Sequence, residues 1–308
     1  MSVLAVFNGF RWFKPYIEIC RVESWLSWVF GFAFGTVFFS SPLLGQAITI
    51  FFAFSFATAS IFILNQYFDR QADEKNILKM KLPIASGQIS PCNALIFSFL
   101  LIISCFILVY MVDINLSLPL FLYLALWALY SAPTPRLKSM PVIDFLTSGI
   151  GAGFLPFFIG SSVTLQPNSS ISLIILATTP LILFHCGAHI IQTIGDYEAD
   201  REAGISTFVV RYGRKKGVTT AGLMFLSAFL LPFICLFTGL VSHSHLVFFT
   251  MLLLLSIPPL LRFKHLFKNP CSSSVISLQK SVKKYGVIAL LITWIYVLMT
   301  KFVLTGFY

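Results

Sequence analysis

Apolar residues fall along this chain in nine long runs separated by short polar segments. The runs occupy residues 25–39, 44–64, 94–112, 116–130, 142–159, 171–194, 218–240, 246–261 and 285–304. A hydrocarbon core needs about 20 predominantly apolar residues per helix. Most runs reach or approach that length, so the pattern predicts an all-α membrane protein with about nine spans. Ahead of the first run, residues 6–20 mix apolar positions with Arg11 and Lys14, as expected for a short helix lying at the membrane interface. Residues 1–22 therefore form an interfacial N-terminal segment. No Pro-, Gly- and Ser-rich linker divides the chain, so residues 1–308 are expected to make one membrane domain.

Composition agrees with the pattern. Of the 308 residues 57% are hydrophobic and 10% charged, with a mean hydropathy of +0.89. A soluble domain carries about 25% charged residues, and a chain this apolar lacks the charge to cover a water-facing surface. The six cysteines stand apart, at 20, 92, 105, 186, 235 and 271, without a paired C-x-x-C spacing. They indicate neither a disulfide framework nor a structural zinc site.

Charge then gives the orientation. With nine spans threaded, twenty of the 21 Lys and Arg fall on the side of the N-terminus, and only Lys301 on the other. Ten of the eleven acids divide the same way, leaving Asp113 opposite, so one face carries all of the net +10. The positive-inside rule places the N-terminus and the charged loops in the cytoplasm. Anionic headgroups and a phosphate-bearing substrate account for the positive charge without a nucleic-acid partner.

Two acidic motifs stand where the second and sixth spans reach that charged face. Asn65, Asp69 and Asp73 follow the second span; Gln192, Asp196 and Asp200 follow the sixth. Both read amide-x-x-x-Asp-x-x-x-Asp, which suggests an internal duplication. A spacing of four would align each trio along one helix face, at about 6 Å per step. One such motif alone is an ordinary solvated helix end. Two on the same face suggest a divalent cation, and hard oxygen ligands select magnesium, calcium or manganese over zinc. Arg70, Lys75, Lys79 and Lys81 follow the first motif, and Arg201, Arg211 and Arg214 the second. Arg136 and Lys138 lie between the fourth and fifth spans, and Arg21 precedes the first. Singly these are snorkelling or headgroup-facing residues. Acids for a metal beside bases for phosphate describe a metal–diphosphate site at a membrane face.

These residues resemble the UbiA superfamily of intramembrane prenyltransferases. The family pattern N-D-x-x-D-x-x-x-D is similar to Asn65, Asp69 and Asp73, with Gln66 in place of the first Asp. The second pattern is similar to Asp196, Asp200, Gly204 and Thr207. The stretch from Leu82 to Gly87 resembles the family's loop after the first motif, and Tyr130 to Lys138 its segment after the fourth helix. The resemblance implies one bundle of about nine helices around a central cavity. It also implies transfer of a prenyl group from a polyprenyl diphosphate to a lipophilic or aromatic acceptor. Asn65, Asp69, Asp73, Asp196 and Asp200 would hold Mg2+, the four aspartates serving catalysis. Asn65, Arg21, Lys81, Tyr130, Arg136 and Lys138 would bind the diphosphate. Ionisation would leave an allylic cation to be shielded from water, with aromatic faces available to stabilise it.

On the sixth span His185, His189, Gln192, Asp196 and Asp200 recur every three or four residues as one polar face. In a membrane helix such a face lines a cavity. The histidines lack a visible third metal ligand, which leaves acceptor contact or interhelical hydrogen bonding for His185, His189 and Gln192. The expected acceptor is an aromatic acid of quinone biosynthesis, with a prenylated glycerol phosphate as the alternative. A membrane terpene cyclase and an ion or phosphate-lipid transporter are the rival readings. Transporters place ion sites near the midplane, whereas these acids lie at span ends.

Overall fold

The computed structural model describes residues 13–39, 43–76, 79–165 and 170–299. Described residues form helices and connecting turns, with no strand among them. After helical residues 13–19 come α1 (Leu26–Thr36), α2 (Leu44–Lys75), α3 (Pro91–Tyr110) and α4 (Ser117–Ser131). Next, α5 (Ile143–Ser148) passes through a π-helical turn, Gly149–Phe154, into α6 (Leu155–Ser162). Then follow α7 (Ile171–Gly195), α8 (Tyr197–Glu202), α9 (Phe208–Tyr212), α10 (Arg214–Phe237), α11 (Leu246–Lys268) and α12 (Ser272–Leu298).

Among the described residues each predicted run overlaps a helix. Seven are long and apolar enough to cross a membrane among the described residues: those containing α2, α3, α4, α5 with α6, α7, α10 and α11. The first run contracts to the 11 residues of α1, about half the rise a ~30 Å core requires. The ninth begins earlier than expected, at Ser272, so Lys280, Lys283 and Lys284 lie inside α12; residues 300–304, including Lys301, lie outside the described residues.

The chain divides into two compact units, Met1–Ile182 with Glu198–Thr207, and Leu183–Tyr197 with Phe208–Tyr308. In the first, α2 packs against α3 and α4, and α1 runs along α6. The core joins Trp28 and Phe32 of α1, Phe54 and Ile61 of α2, Tyr123 and Trp127 of α4, and Ile159 of α6. Trp28 stacks on Trp127 with centroids 4.8 Å apart, and the Tyr123 hydroxyl lies 3.0 Å from that of Thr58. The α1–α6 contact is backbone to backbone. A Cβ on Gly160 would fall on the Phe32 carbonyl oxygen, and one on Gly35 on that of Phe157. Small residues at such crossings let membrane helices gain dispersion contact where lipid supplies no hydrophobic drive.

In the second unit α11 packs on α12 and α10 on α11. Phe225 of α10 meets Phe184 of α7 and Phe263 of α11. Large apolar side chains point outward throughout, among them Phe99, Ile103 and Ile107 on α3 and Val247, Leu254 and Leu261 on α11. That is the arrangement for a lipid solvent.

Candidate active site

Helix α2 has 32 residues and rises about 48 Å, some 18 Å more than a ~30 Å core. Its last turns can therefore extend past the hydrocarbon, and they carry the first motif unbroken. Asn65, Asp69 and Asp73 sit on successive turns. The Asn65 Nδ2 donates to Asp69 Oδ2 at 2.9 Å and to Ser131 Oγ at 3.3 Å, tying α2 to the end of α4.

Beyond α4 the chain makes a left-handed turn at Arg136 (φ 56°) into a single 3-10 turn, Leu137–Ser139. This turn brings the Lys138 ammonium onto Asp69 Oδ1 in a close hydrogen-bonded ion pair. The Arg136 guanidinium lies 3.7 Å from the same oxygen. Side-chain exposure is 8% for Lys138, 13% for Asp69 and 32% for Arg136, so the pair is shielded while the guanidinium reaches toward water. Burial pulls the Lys138 ammonium below the usual lysine range, and the Asp69 charge and hydrogen bond oppose that pull. The Arg136 Nε is buried and has no hydrogen-bond partner among the described residues.

Asp73, one turn further, is also buried. The cations bearing on it are Lys79, Lys138 and Arg21, with Asp69 its like-charged neighbour. Arg21 stands in a left-handed turn (φ 49°) with its guanidinium 5.5 Å from the Phe62 ring. Tyr130, half-buried, meets Trp127 edge-on at 5.1 Å. Lys81 is exposed, and the charge of Lys79 in the same loop bears on Asp73.

The second motif differs from the continuous helix face its spacing predicted. Helix α7 stops at Gly195, Asp196 occupies a bend, and α8 starts at Tyr197, so Asp200 lies on a different helix from His185, His189 and Gln192. Asp196 still closes the last turn of α7, its N–H donating to Gln192 O at 3.1 Å. The break has one local and one distant cause: Gly195 is a poor helix former, and Ser272 Oγ donates to its carbonyl at 3.0 Å. Asp200 accepts at its carbonyl from Ile205 N, and Gly204 turns the chain at φ 67°. Ser206 N then donates to Ser139 Oγ at 3.0 Å, fastening the segment after Asp200 to the turn that carries Lys138. On α7, His185 is buried beside the Phe184 ring, His189 half-buried and Gln192 exposed.

A model of the UbiA prenyltransferase family matches residues 24–278. The chain belongs to this family. Among curated proteins it is 27% identical over 234 residues to the digeranylgeranylglyceryl phosphate synthase of Methanobrevibacter smithii, covering 73% of this chain and 78% of that one. It is 30% identical over 200 residues to the lycopene elongase/hydratase of Halobacterium salinarum, covering 62% and 66%. Among solved structures, a UbiA homolog from Archaeoglobus fulgidus bound to GPP and Mg2+ superposes with a TM-score of 0.67. That match has 19% identity and covers 91% of this chain and 96% of that one.

As a UbiA-type prenyltransferase the chain has an acid-and-base cluster suited to a magnesium–phosphate ligand. No three His, Cys, Asp or Glu side chains among the described residues already form a metal cage. Mg2+ takes one or two carboxylates and completes its shell with water and substrate phosphate. Asp69 and Asp73 on adjacent turns, with Arg136 holding an unfilled buried donor nearby, match such a donor set. Sequence reasoning missed Ser131, which receives Asn65; it stands next to Tyr130, and only the crossing of α2 and α4 singles it out.

Proposed function

We propose that this UbiA-type enzyme transfers the prenyl group of a polyprenyl diphosphate, with Mg2+, to a glycerol-phosphate lipid acceptor at the cytoplasmic membrane face. The carrying observation is the Asp69–Lys138–Arg136 cluster at the C-terminal end of α2, with its unfilled Arg136 Nε–H. Asn65, Asp69 and Asp73 would hold the metal; Asp196 and Asp200 are assigned the same duty on the sequence repeat alone. Bound Mg2+ would neutralise the diphosphate as it departs.

The remaining steps belong to the protein. Lys138 and Arg136 would exchange Asp69 for phosphate oxygens, and the Arg136 Nε–H would gain an acceptor. Arg21 and Lys79, whose charges act on Asp73, would add to them, with Lys81 exposed and Tyr130 at the α4 end. Phe62, on the turn before Asn65, meets Trp28, which stacks on Trp127; the bulk of these aromatic faces keeps water from an allylic cation. His185, His189 and Gln192 are the candidates for acceptor contact.

Support for this acceptor comes from the relatives rather than from these residues. The aromatic acid expected from sequence finds no named support among them, whereas digeranylgeranylglyceryl phosphate synthases recur, from Methanobrevibacter smithii to Methanococcus vannielii. The lycopene elongase/hydratase supports a second reading, with a polyene hydrocarbon as acceptor. Purified protein given labelled geranylgeranyl diphosphate and Mg2+ would be offered geranylgeranylglyceryl phosphate, lycopene and 4-hydroxybenzoate in parallel. Label entering the glyceryl phosphate lipid is the expected result. Label entering only lycopene or only the benzoate overturns the acceptor; no diphosphate release with any of them overturns the transferase reading.

A further inference from the structure

Gln66 occupies the position where the family pattern has its first aspartate, yet it faces away from the metal-binding trio. It is 1% exposed, and its Nε2 donates to the carbonyl of Ile19 at 2.7 Å and more weakly to that of Phe62 at 3.3 Å. The Oε1 is buried without a hydrogen-bond partner among the described residues. The amide orientation is fixed by its surroundings, since flipping it would set Oε1 against two carbonyl oxygens.

Ile19 ends the helical stretch 13–19, where last-turn carbonyls lack intrahelical partners. Each neighbour is satisfied locally. Ile17 O and Glu18 O accept from the N–H groups of Cys20 and Arg21, Tyr16 O from Cys20 Sγ, and Cys20 O from Trp25 Nε1. The Ile19 carbonyl alone in this series is capped by a side chain from α2. Around it Ile19 packs with Ile63, Ile84 and Ile89, and Tyr16 meets Phe97 edge-on at 5.2 Å. Two residues after the capped carbonyl comes Arg21, in its left-handed turn, its guanidinium 5.5 Å from the ring of Phe62, whose carbonyl also accepts from Gln66.

We propose that Gln66 is a positioning residue: its amide caps the N-terminal interfacial helix and thereby holds Arg21 over the diphosphate site. The inference rests on the assignment of Arg21 to diphosphate under the proposed function. Aspartate at this position would be one methylene shorter and would have no N–H for Ile19. Restoring the family residue should therefore harm the enzyme rather than improve it.

The latch and its purpose are tested separately. Cys20 is half-buried and donates to Tyr16 O, whereas Cys92 is exposed. Alkylation by N-ethylmaleimide, followed residue by residue by mass spectrometry, should accelerate several-fold at Cys20 in Gln66→Met, with Cys92 unchanged. An unchanged Cys20 rate overturns the latch whatever the enzyme's activity. In turnover with geranylgeranyl diphosphate, Gln66→Met should raise KM about tenfold, the size of one charge-assisted contact, with kcat retained. Gln66→Met combined with Arg21→Ala should then be no worse than Arg21→Ala alone, because the two act as one unit. Multiplying effects overturn the inference, as does tighter Mg2+ dependence or faster turnover in Gln66→Asp. An Arg21→Ala enzyme with unaltered KM instead overturns the role given to Arg21 in the proposed function.

Discussion

Replacing Asp69 with asparagine changes one atom type at the centre of the charge cluster. The carbonyl oxygen of the new amide can still accept the Asn65 N–H that Asp69 Oδ2 now receives at 2.9 Å, so the α2 turn should survive. On the other side, however, the new amide nitrogen would confront the Lys138 ammonium, donor against donor, and Lys138 would lose its counter-charge. With 8% and 13% exposure the pair lies in the buried regime, where removing one partner costs about 3–5 kcal/mol. The contact with Arg136, longer and one-third exposed, adds little. Water reaching the cluster beside the 32% exposed Arg136 places the cost at the lower end, about 3 kcal/mol, and the thermal midpoint in detergent should fall by several degrees. Turnover should fall further. Under the proposed function a metal ligand and a charge in the leaving-group site would be lost together, and removal of one such stabilising group costs about 10²–10³ in rate, or roughly 3–4 kcal/mol. Geranylgeranyl diphosphate with Mg2+ should also raise the midpoint of the variant less than that of the wild type. The assay is diphosphate release alongside a thermal melt in the same detergent. Turnover within about threefold of wild type would refute the reasoning, because Asp69 would then be only a structural partner of Lys138.

Lys138→Met should raise KM for the prenyl diphosphate about ten- to a hundredfold, the loss of ~1.5–3 kcal/mol for a hydrogen bond to a charged group; initial-rate kinetics at saturating Mg2+ measure it. Gly160→Leu should lower yield and melting temperature, because a side chain there displaces the Phe32 backbone. Gly45→Ala, which meets nothing within 4 Å, should match wild type in the same melts. Cys271 is held down at about 7 by the hydroxyls of Ser273 and Ser274, at 3.2 and 3.3 Å. Its maleimide reactivity should be low below that pH, where the thiol is protonated, and rise through neutrality; alanine at both serines should move the rise to higher pH. In intact cells a membrane-impermeant maleimide should spare both Cys92 and Cys271, and strong external labelling of Cys271 would reverse the assigned orientation.

The hydrophobic runs specified most of the fold by themselves, because in lipid a backbone must satisfy its own hydrogen bonds and an apolar stretch of span length has little choice but a helix. The acids of α2 were legible for a related reason: charges at the end of an apolar run are costly unless they have a task. Pairing was not legible. Nothing in the sequence says that Lys138 rather than Lys81 reaches Asp69, since the left-handed turn at Arg136 and the crossing of α2 with α4 decide it. Nor does a spacing of four reveal that the second motif bends at Asp196, where Ser272, 77 residues from Gly195, takes that residue's carbonyl. Gln66 is the sharpest case. By sequence it is a missing carboxylate; in the structure its amide faces a helix end 47 residues away, because side-chain direction on a helix is fixed by what packs against each face. Periodicity and charge are local properties of the chain, whereas hydrogen-bond partners are chosen only when distant segments meet.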